Sequence, residues 1–436
     1  TPFTSIPAAA ILVSDANNVT LTNNIISGIR GDGSVSIHGI QLFGESSPYY
    51  TGFTIANNTI TDIDNTGGTT WPDYHGAVGI KVQNWIDDVT ITDNMISDIH
   101  SAGWTYGIVT TASSVNPTTP TNVFVDGNQL SGINDGSVYT VFADPNAAPY
   151  PGVGFAIDDG GSASEAILQY NSFTDIPYGA LNKDTGVSLL AEFNWWGDAT
   201  GPSHVSNPHG EGQGGVGVSD DVGFIPWYAT ATTTEFTENV AVMDEYTSLI
   251  SLSDGVQAAL DAALAGYVVN VGSGLYEEDL LIGEHLTGLE LAGSGIGVST
   301  LKGVAMVDST LFPLADPNIE VLADGVSISN FTIQGPDPVV GYYSSGIVIG
   351  GNDLEVYNNA FEVPNASSLD DISQGIQTYT GANNPTTGGI GGLWIHDNTF
   401  TDLGTGDWGY EGIYINSDVD DPTPAGLVVV DSNAFS

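Results

Sequence analysis

The chain is built on an alternation of apolar and polar positions with a period of two. In "VTITDN", Val89 and Ile91 are expected to face inward, and Thr90 and Thr92 outward. The same short motif recurs: apolar, x, apolar, two residues, Asn, x, large apolar residue. It reads "VTLTNNIISGI" at Asn24, "FTIANNTITDI" at Asn58, "VTITDNMISDI" at Asn94, "VFVDGNQLSGI" at Asn128 and "AILQYNSFTDI" at Asn171. A shortened copy, "AEFNWWG", carries Asn194. Later copies are "LEVYNNAFEV" at Asn359, "LWIHDNTFTDL" at Asn398 and "VVVDSNAFS" at Asn433. Successive asparagines lie 34, 36, 34, 43 and 23 residues apart in the first half, and 39 and 35 apart at the end. Most copies follow a second alternating element that opens on Gly and an apolar residue, as in "HGIQLFG", "VGIKVQN", "SGIVIGG" and "EGIYINS".

Strands this short cannot close a core alone, but stacked coils can, each hydrogen-bonding to the next at about 4.8 Å. Helical periodicity is nearly absent, which leaves no crossover helices for an α/β fold. The expected fold is all-β, a solenoid of parallel strands. The recurrent Asn suits a position of left-handed backbone, and stacked Asn side chains can bond along the coil axis. The large residues two positions later (Ile26, Ile60, Ile96, Phe173, Phe361, Phe400, Phe435) are expected to form an internal column.

On these motifs the chain resembles the right-handed parallel β-helix superfamily, seen in pectate lyases, polygalacturonases, phage tailspikes and many surface proteins. The resemblance spans most of residues 10–228 and 249–436. The fold hosts enzymes, adhesins and scaffolds alike, so the resemblance alone implies no activity.

The Thr-rich stretch "ATATTTEFTENVAVMDEYTS" at 229–248 breaks the pattern and reads as a connector. Beyond it, Val256, Leu260 and Leu264 share one helical face, with Ser253 as the expected N-cap and Gly266 as the stop. This short helix near 253–265, followed by coils ending in "FTIQG", resembles the opening of a β-helix domain, where the helix covers an otherwise exposed edge. In contrast, "NWWGDATGPSH" and then "FIPWY" resemble a closing segment, with Trp195 and Trp196 in the column and Trp227 packed on the last coil. Residues 1–228 thus read as the end of one β-helix module and 249–436 as the start of the next. Joining the C-terminus to the N-terminus would place Asn433 and Asn24 27 residues apart, inside the repeat range. The expected role is a structural module of an extracellular or cell-surface fibre, with copies of itself stacked end to end or in tandem.

Charge narrows the partners. The formal net charge is −48, with 52 acidic residues against four basic ones: Arg30, Lys81, Lys183 and Lys302. No basic patch for nucleic acid can be built from these. No apolar run approaches the roughly 20 residues that cross a bilayer. The absence of cysteine leaves a secreted protein without disulfides an open option. Neutral glycans, divalent cations and protein partners remain.

Rival functions have weaker signals. The alternatives are a glycan-binding adhesin module, with Trp71, Tyr74, Trp104 and Trp408 as stacking rings, and a polysaccharide hydrolase or lyase. For hydrolysis the candidates are Asp158, Asp159 and Glu165, but no Arg-x-Lys pair accompanies them. Asp418, Asp420 and Asp421 share one loop whose oxygen-rich character suits Ca²⁺, although the spacing is not that of an EF-hand. The seven histidines form no ligand pairs. Arg30-Gly31-Asp32 matches an integrin-type tripeptide that arises readily by chance. Glycosylation sequons stand at Asn18, Asn57, Asn330 and Asn365.

Overall fold

In a computed structural model, the structure describes residues 8–66, 76–101, 103–112, 118–134, 152–210, 214–231, 239–304, 315–336, 343–362, 372–378, 390–401, 411–415 and 427–436. The chain divides into two units, Thr1–Phe236 and Thr237–Ser436.

The first unit is a solenoid of three parallel sheets. The coil at its N-terminal edge contributes Ala8–Ser14 to the first sheet, Val19–Thr22 to the second and Ile25–Ile26 to the third, and the following coils repeat that order. Register is strict. Ile60 pairs with both Ile26 and Ile96, then Ile96 with Leu130 and Leu130 with Phe173, so the expected column forms. Val89 and Ile91 are buried while Thr90 and Thr92 are half-buried, as the alternation requires.

The Gly of the second element has a steric cause. A Cβ on Gly79 would lie 2.5 Å from Gly107 O, and one on Gly107 would lie 2.7 Å from Gly154 O. The backbones of adjacent coils approach too closely there for any side chain.

The left-handed residue is not the ladder asparagine. It is the residue just before it: Asn23, Asn57, Asp93, Gly127, Tyr170 and Phe193 in the first unit, and Asn358, Asp397 and Ser432 in the second, all with φ between 52° and 65°. The turn is made one position early, and the ladder Asn is then free to aim its amide along the axis.

The closing segment also differs from expectation. Trp196 alone takes the column position, fully buried and stacked on Phe173 with ring centroids 5.0 Å apart. Trp195 is only half-buried and bridges Ser172, because consecutive strand residues face opposite sides. Trp227 is fully buried and donates from Nε1 to Ala199 O at 2.8 Å.

The second unit repeats the three-sheet plan, ending in Glu411–Tyr414, Val429–Asp431 and Ala434–Phe435. Within the stretch read as a connector, Val240–Met243 is a strand. It pairs antiparallel with Leu249–Ser253 on one side and Val268–Val271 on the other. That hairpin, with the helix, covers an edge the sequence reading gave to the helix alone. The helix itself is shorter than expected, Val256–Asp261, and its N-cap is Gly255. Ser253 Oγ instead bonds the Gly255 N–H and carbonyl, while the Glu278 carboxylate accepts from the amides of Val256 and Gln257 at 2.8 and 3.0 Å. A carboxylate there satisfies the free amides of the first turn.

Candidate functional site: the axial ladder and the open edge

The ladder asparagines form two continuous hydrogen-bonded files. Asn24 Nδ2 donates to Asn58 Oδ1 at 2.8 Å, Asn58 to Asn94, Asn94 to Asn128 and Asn128 to Asn171 each at 2.9 Å, and Asn171 to Asn194 at 3.0 Å. The same Oδ1 accepts the backbone N–H of the preceding asparagine at every step. In the second unit Asn359 donates to Asn398 at 3.2 Å and Asn398 to Asn433 at 3.0 Å. Phe331 occupies the ladder position one coil earlier and only its N–H reaches Asn359. The file has polarity: donors point toward the C-terminal coil.

Polarity leaves unlike ends. Among the described residues, no donor reaches Asn24 Oδ1 and the backbone N–H of Asn433 donates to nothing. The apolar column is cut at the same place. Ile395 and Phe400 are 0% exposed, whereas their register partners in the last coil, Val430 and Phe435, are 46% and 53% exposed. Phe361, Phe400 and Phe435 stack face to face at 4.8 and 4.9 Å, and the outer face of Phe435 lies open. In the first unit, the inward-facing residues of the N-terminal coil are better covered: Ile26 is 7% exposed, and Ile11 and Leu21 are half-buried.

The acidic candidates separate. Asp158 accepts from Lys183 Nζ at 2.6 Å and from Tyr106 Oη at 3.3 Å. Asp159 contributes its carbonyl, which accepts from Ala112 N and Thr111 Oγ1. Glu165 lies in the 3₁₀ turn Ala163–Glu165. Among the described residues no three His, Asp or Glu side chains converge to hold a metal. Asp418, Asp420, Asp421, Asn365, Trp71, Tyr74 and Trp408 lie outside the described residues. Of the other sequons, Asn18 and Asn57 are exposed and Asn330 is half-buried. Arg30 is held by Asp62 at 2.6 Å and pairs with Asp64 at the end of a strand, so the first residue of the tripeptide is not at a free loop tip.

Sequence reasoning missed the surroundings of Asp158. On the outer face of the first sheet, Lys81 sits over the Trp104 ring at 5.8 Å, and Trp104 stacks on Tyr106 at 5.4 Å. Burial pushes Lys81 down to about 8, against the opposing pull of Asp158. Burial, and then Lys81, push His38 down to about 3, which keeps its imidazole neutral. Two of the four basic residues are thus gathered on one face. Only their shared register across strands reveals it, and that register is invisible before the coils are counted.

The fold defines the class of protein: its stacked parallel sheets make it a right-handed parallel β-helix. Residues 2–194 match the family described as "Right handed beta helix region". Among solved structures, the chain is similar to the "Azotobacter vinelandii Mannuronan C-5 epimerase AlgE4 A-module". That likeness is 12% identical, covers 97% of this chain and 90% of the other, and has a TM-score of 0.23, which says nothing about activity. No curated protein matches the chain. No helix among the described residues is long and apolar enough to cross a membrane.

Proposed function

We propose that the chain is a structural module of an extracellular or cell-surface fibre, in which the open C-terminal edge of one copy is continued by the N-terminal edge of the next. The observation that supports this reading is the polarity of the ladder: each coil's Asn side-chain amide donates to the Asn Oδ1 of the coil after it, so any coil with an Asn in register can extend it. The two edges match strand for strand. Glu411–Tyr414, Val429–Asp431 and Ala434–Phe435 meet Ala8–Ser14, Val19–Thr22 and Ile25–Ile26 in the same order. Aligned on the asparagines, Phe435 meets Ile26, Val430 meets Leu21, and the free Asn433 N–H meets the free Asn24 Oδ1. Covering a large apolar side chain is worth about 1.5–3 kcal/mol, so two half-open ones favour closure.

The test compares the 436-residue chain with a fusion of two copies, using electron microscopy and sedimentation. Rods with a repeat of one module, shortened by Phe435→Asp, are expected. Monomers at every concentration, together with a fusion whose junction amides exchange freely, would refute the reading.

A second reading, a glycan-binding face, is favoured by one observation: the half-buried Lys81 beside the half-buried Trp104, which is backed by the buried Tyr106. A partly open indole with an adjacent donor suits a sugar ring. Quenching of Trp104 fluorescence by neutral oligosaccharides, lost in Trp104→Ala, would support it.

A further inference from the structure

The outer face of the sheet that ends at Val429–Asp431 carries a histidine held from both sides. His396 Nε2 lies 3.0 Å from Glu355 Oε1, one coil back, and Nδ1 lies 2.8 Å from Asp397 Oδ2. Its ring is flanked by Trp394, with centroids 4.1 Å apart, and by Tyr357 at 5.3 Å with planes 5° apart. The side chain is only 13% exposed. The next strand places Asp431 in register with His396, so every ionic neighbour on the three packed strands is a carboxylate.

A neutral imidazole has one N–H and can serve only one of the two carboxylates; the other would face a lone pair. The imidazolium serves both, with charge-assisted bonds. The geometry is therefore complete only when the ring is protonated.

We propose that His396 is a proton-operated clip between the coils that precede the C-terminal edge, and that its charge state sets how firmly the edge strand Val429–Asp431 is held for stacking. The regulatory half rests on the stacking reading; the clip itself does not. Burial opposes charging His396, but the bonds from Asp397 and Glu355 outweigh it and hold the group above its ordinary 6.5. With the folded value raised, the clip's contribution is fully present below about 6.5 and is lost as pH rises through the folded value. Acid therefore tightens the edge and alkali loosens it. This runs against the usual acid weakening of carboxylate-rich proteins.

The test uses the full chain at low concentration. The His396 ring is titrated by NMR, and hydrogen-exchange protection is measured at Trp394 and Val429–Asp431 from pH 5.5 to 8.5. The expected result is a midpoint above 6.5 and protection of the edge severalfold greater at the acid end. Glu355→Gln should lower the midpoint, and His396→Gln should remove the pH dependence of protection. A midpoint at or below 6.5, or protection that ignores pH in the parent chain, overturns the clip. Rod length is then scored over the same range. Protection that changes while rod length does not overturns the regulatory half, and absence of rods at every pH overturns the stacking reading while the exchange data still judge the clip.

Discussion

Asn128 donates its side-chain amide to Asn171 Oδ1 across 2.9 Å, although 43 residues separate them in the chain. The same amide also serves Ile91 O at 2.8 Å and Asp126 O at 3.0 Å. One residue thus satisfies groups on three coils, and its bonds to Ile91 and Asn171 are shut away from water. Asn128→Ala leaves the Asn94 backbone N–H without its acceptor and the Asn94 side-chain amide with Ile55 O alone, and it strips one donor from Ile91 O. At about 1–3 kcal/mol per buried unsatisfied group, the expected loss is about 3–5 kcal/mol. Urea unfolding followed by circular dichroism measures it.

The division of labour between Asp93 and Asn94 gives a paired prediction. Asp93 carries the left-handed backbone at φ 54°, and Asn94 carries the ladder. Glycine tolerates the first task and cannot perform the second. Asp93→Gly is expected within about 1 kcal/mol of the parent, because relief of backbone strain offsets added chain entropy. Asn94→Gly is expected to cost more than about 3 kcal/mol. Equal losses in the two variants would place the turn and the ladder on the same residue.

Close approach between coils predicts a steep penalty at one glycine and a shallow one at another. A Cβ on Gly107 would meet Leu130 Cδ2 at 2.6 Å, and both Gly154 O and Ile133 Cδ1 at 2.7 Å. A backbone carbonyl cannot swing aside, so Gly107→Ala should cost about 3 kcal/mol or more. Gly186 has φ of 80° but nothing within 4 Å. Gly186→Ala should cost only the left-handed strain, about 1–2 kcal/mol. Thermal melts of the two variants separate these causes.

How much of this could be read from the chain depended on whether the signal was periodic. The Asn positions, the column from Ile26 to Phe173 and the Gly that precedes each apolar residue repeat, so their roles follow from superposing the copies. What occurs once did not follow. Val240–Met243 lies in Thr-rich sequence and becomes a strand because an uncovered edge offers it partners on both sides. Gly255 displaces Ser253 as the cap because Glu278 supplies the acceptor from a later coil. The meeting of Lys183 with Asp158, 25 residues apart, needs the register of neighbouring strands, which a lone lysine does not announce. The left-handed position was misplaced by one residue because Asn, Asp and Gly crowd both positions, and Tyr170 and Phe193 disguise it further.

Asp279 predicts a stability that falls as pH rises through the acid range. Burial, helped by the neighbouring Asp316, pushes its carboxyl up to about 6, against the stabilising N–H of Val304. A free aspartate carboxyl titrates at 3.8, so the folded state holds the proton to higher pH than the unfolded chain. Stability from this group is present below about 3.8 and is lost as pH rises through about 6. Asn keeps an oxygen to accept the 2.8 Å bond from Val304 N and removes the charge. Asp279→Asn should therefore stabilise the chain at pH 7 by about 1–2 kcal/mol, a value set below the full linkage because the group is partly solvated. The gain should vanish near pH 4. Paired melts at the two pH values are the measurement.

Salt supplies the remaining prediction, because assembly must overcome the chain's own charge. With 52 acidic and four basic residues, each copy presents a formal charge of −48 to the next. The edge that would be covered carries its share, since Asp397 and Asp431 both lie beside the last strands. At about 0.01 M salt the screening length is roughly 30 Å and repulsion reaches well beyond the contact; at about 0.15 M it falls to roughly 8 Å. Apolar closure at Phe435 and Val430 is short-ranged and gains nothing from salt at that level. Association should therefore be weak at low ionic strength and rise steeply across this range, and millimolar Ca²⁺ should act beyond its contribution to ionic strength by bridging carboxylates. Light scattering of the parent chain and of Phe435→Asp distinguishes end-to-end growth from lateral bundling: the parent should grow at lower salt than the variant. Scattering that stays flat from low salt to millimolar Ca²⁺ would mean that charge is not what holds the copies apart.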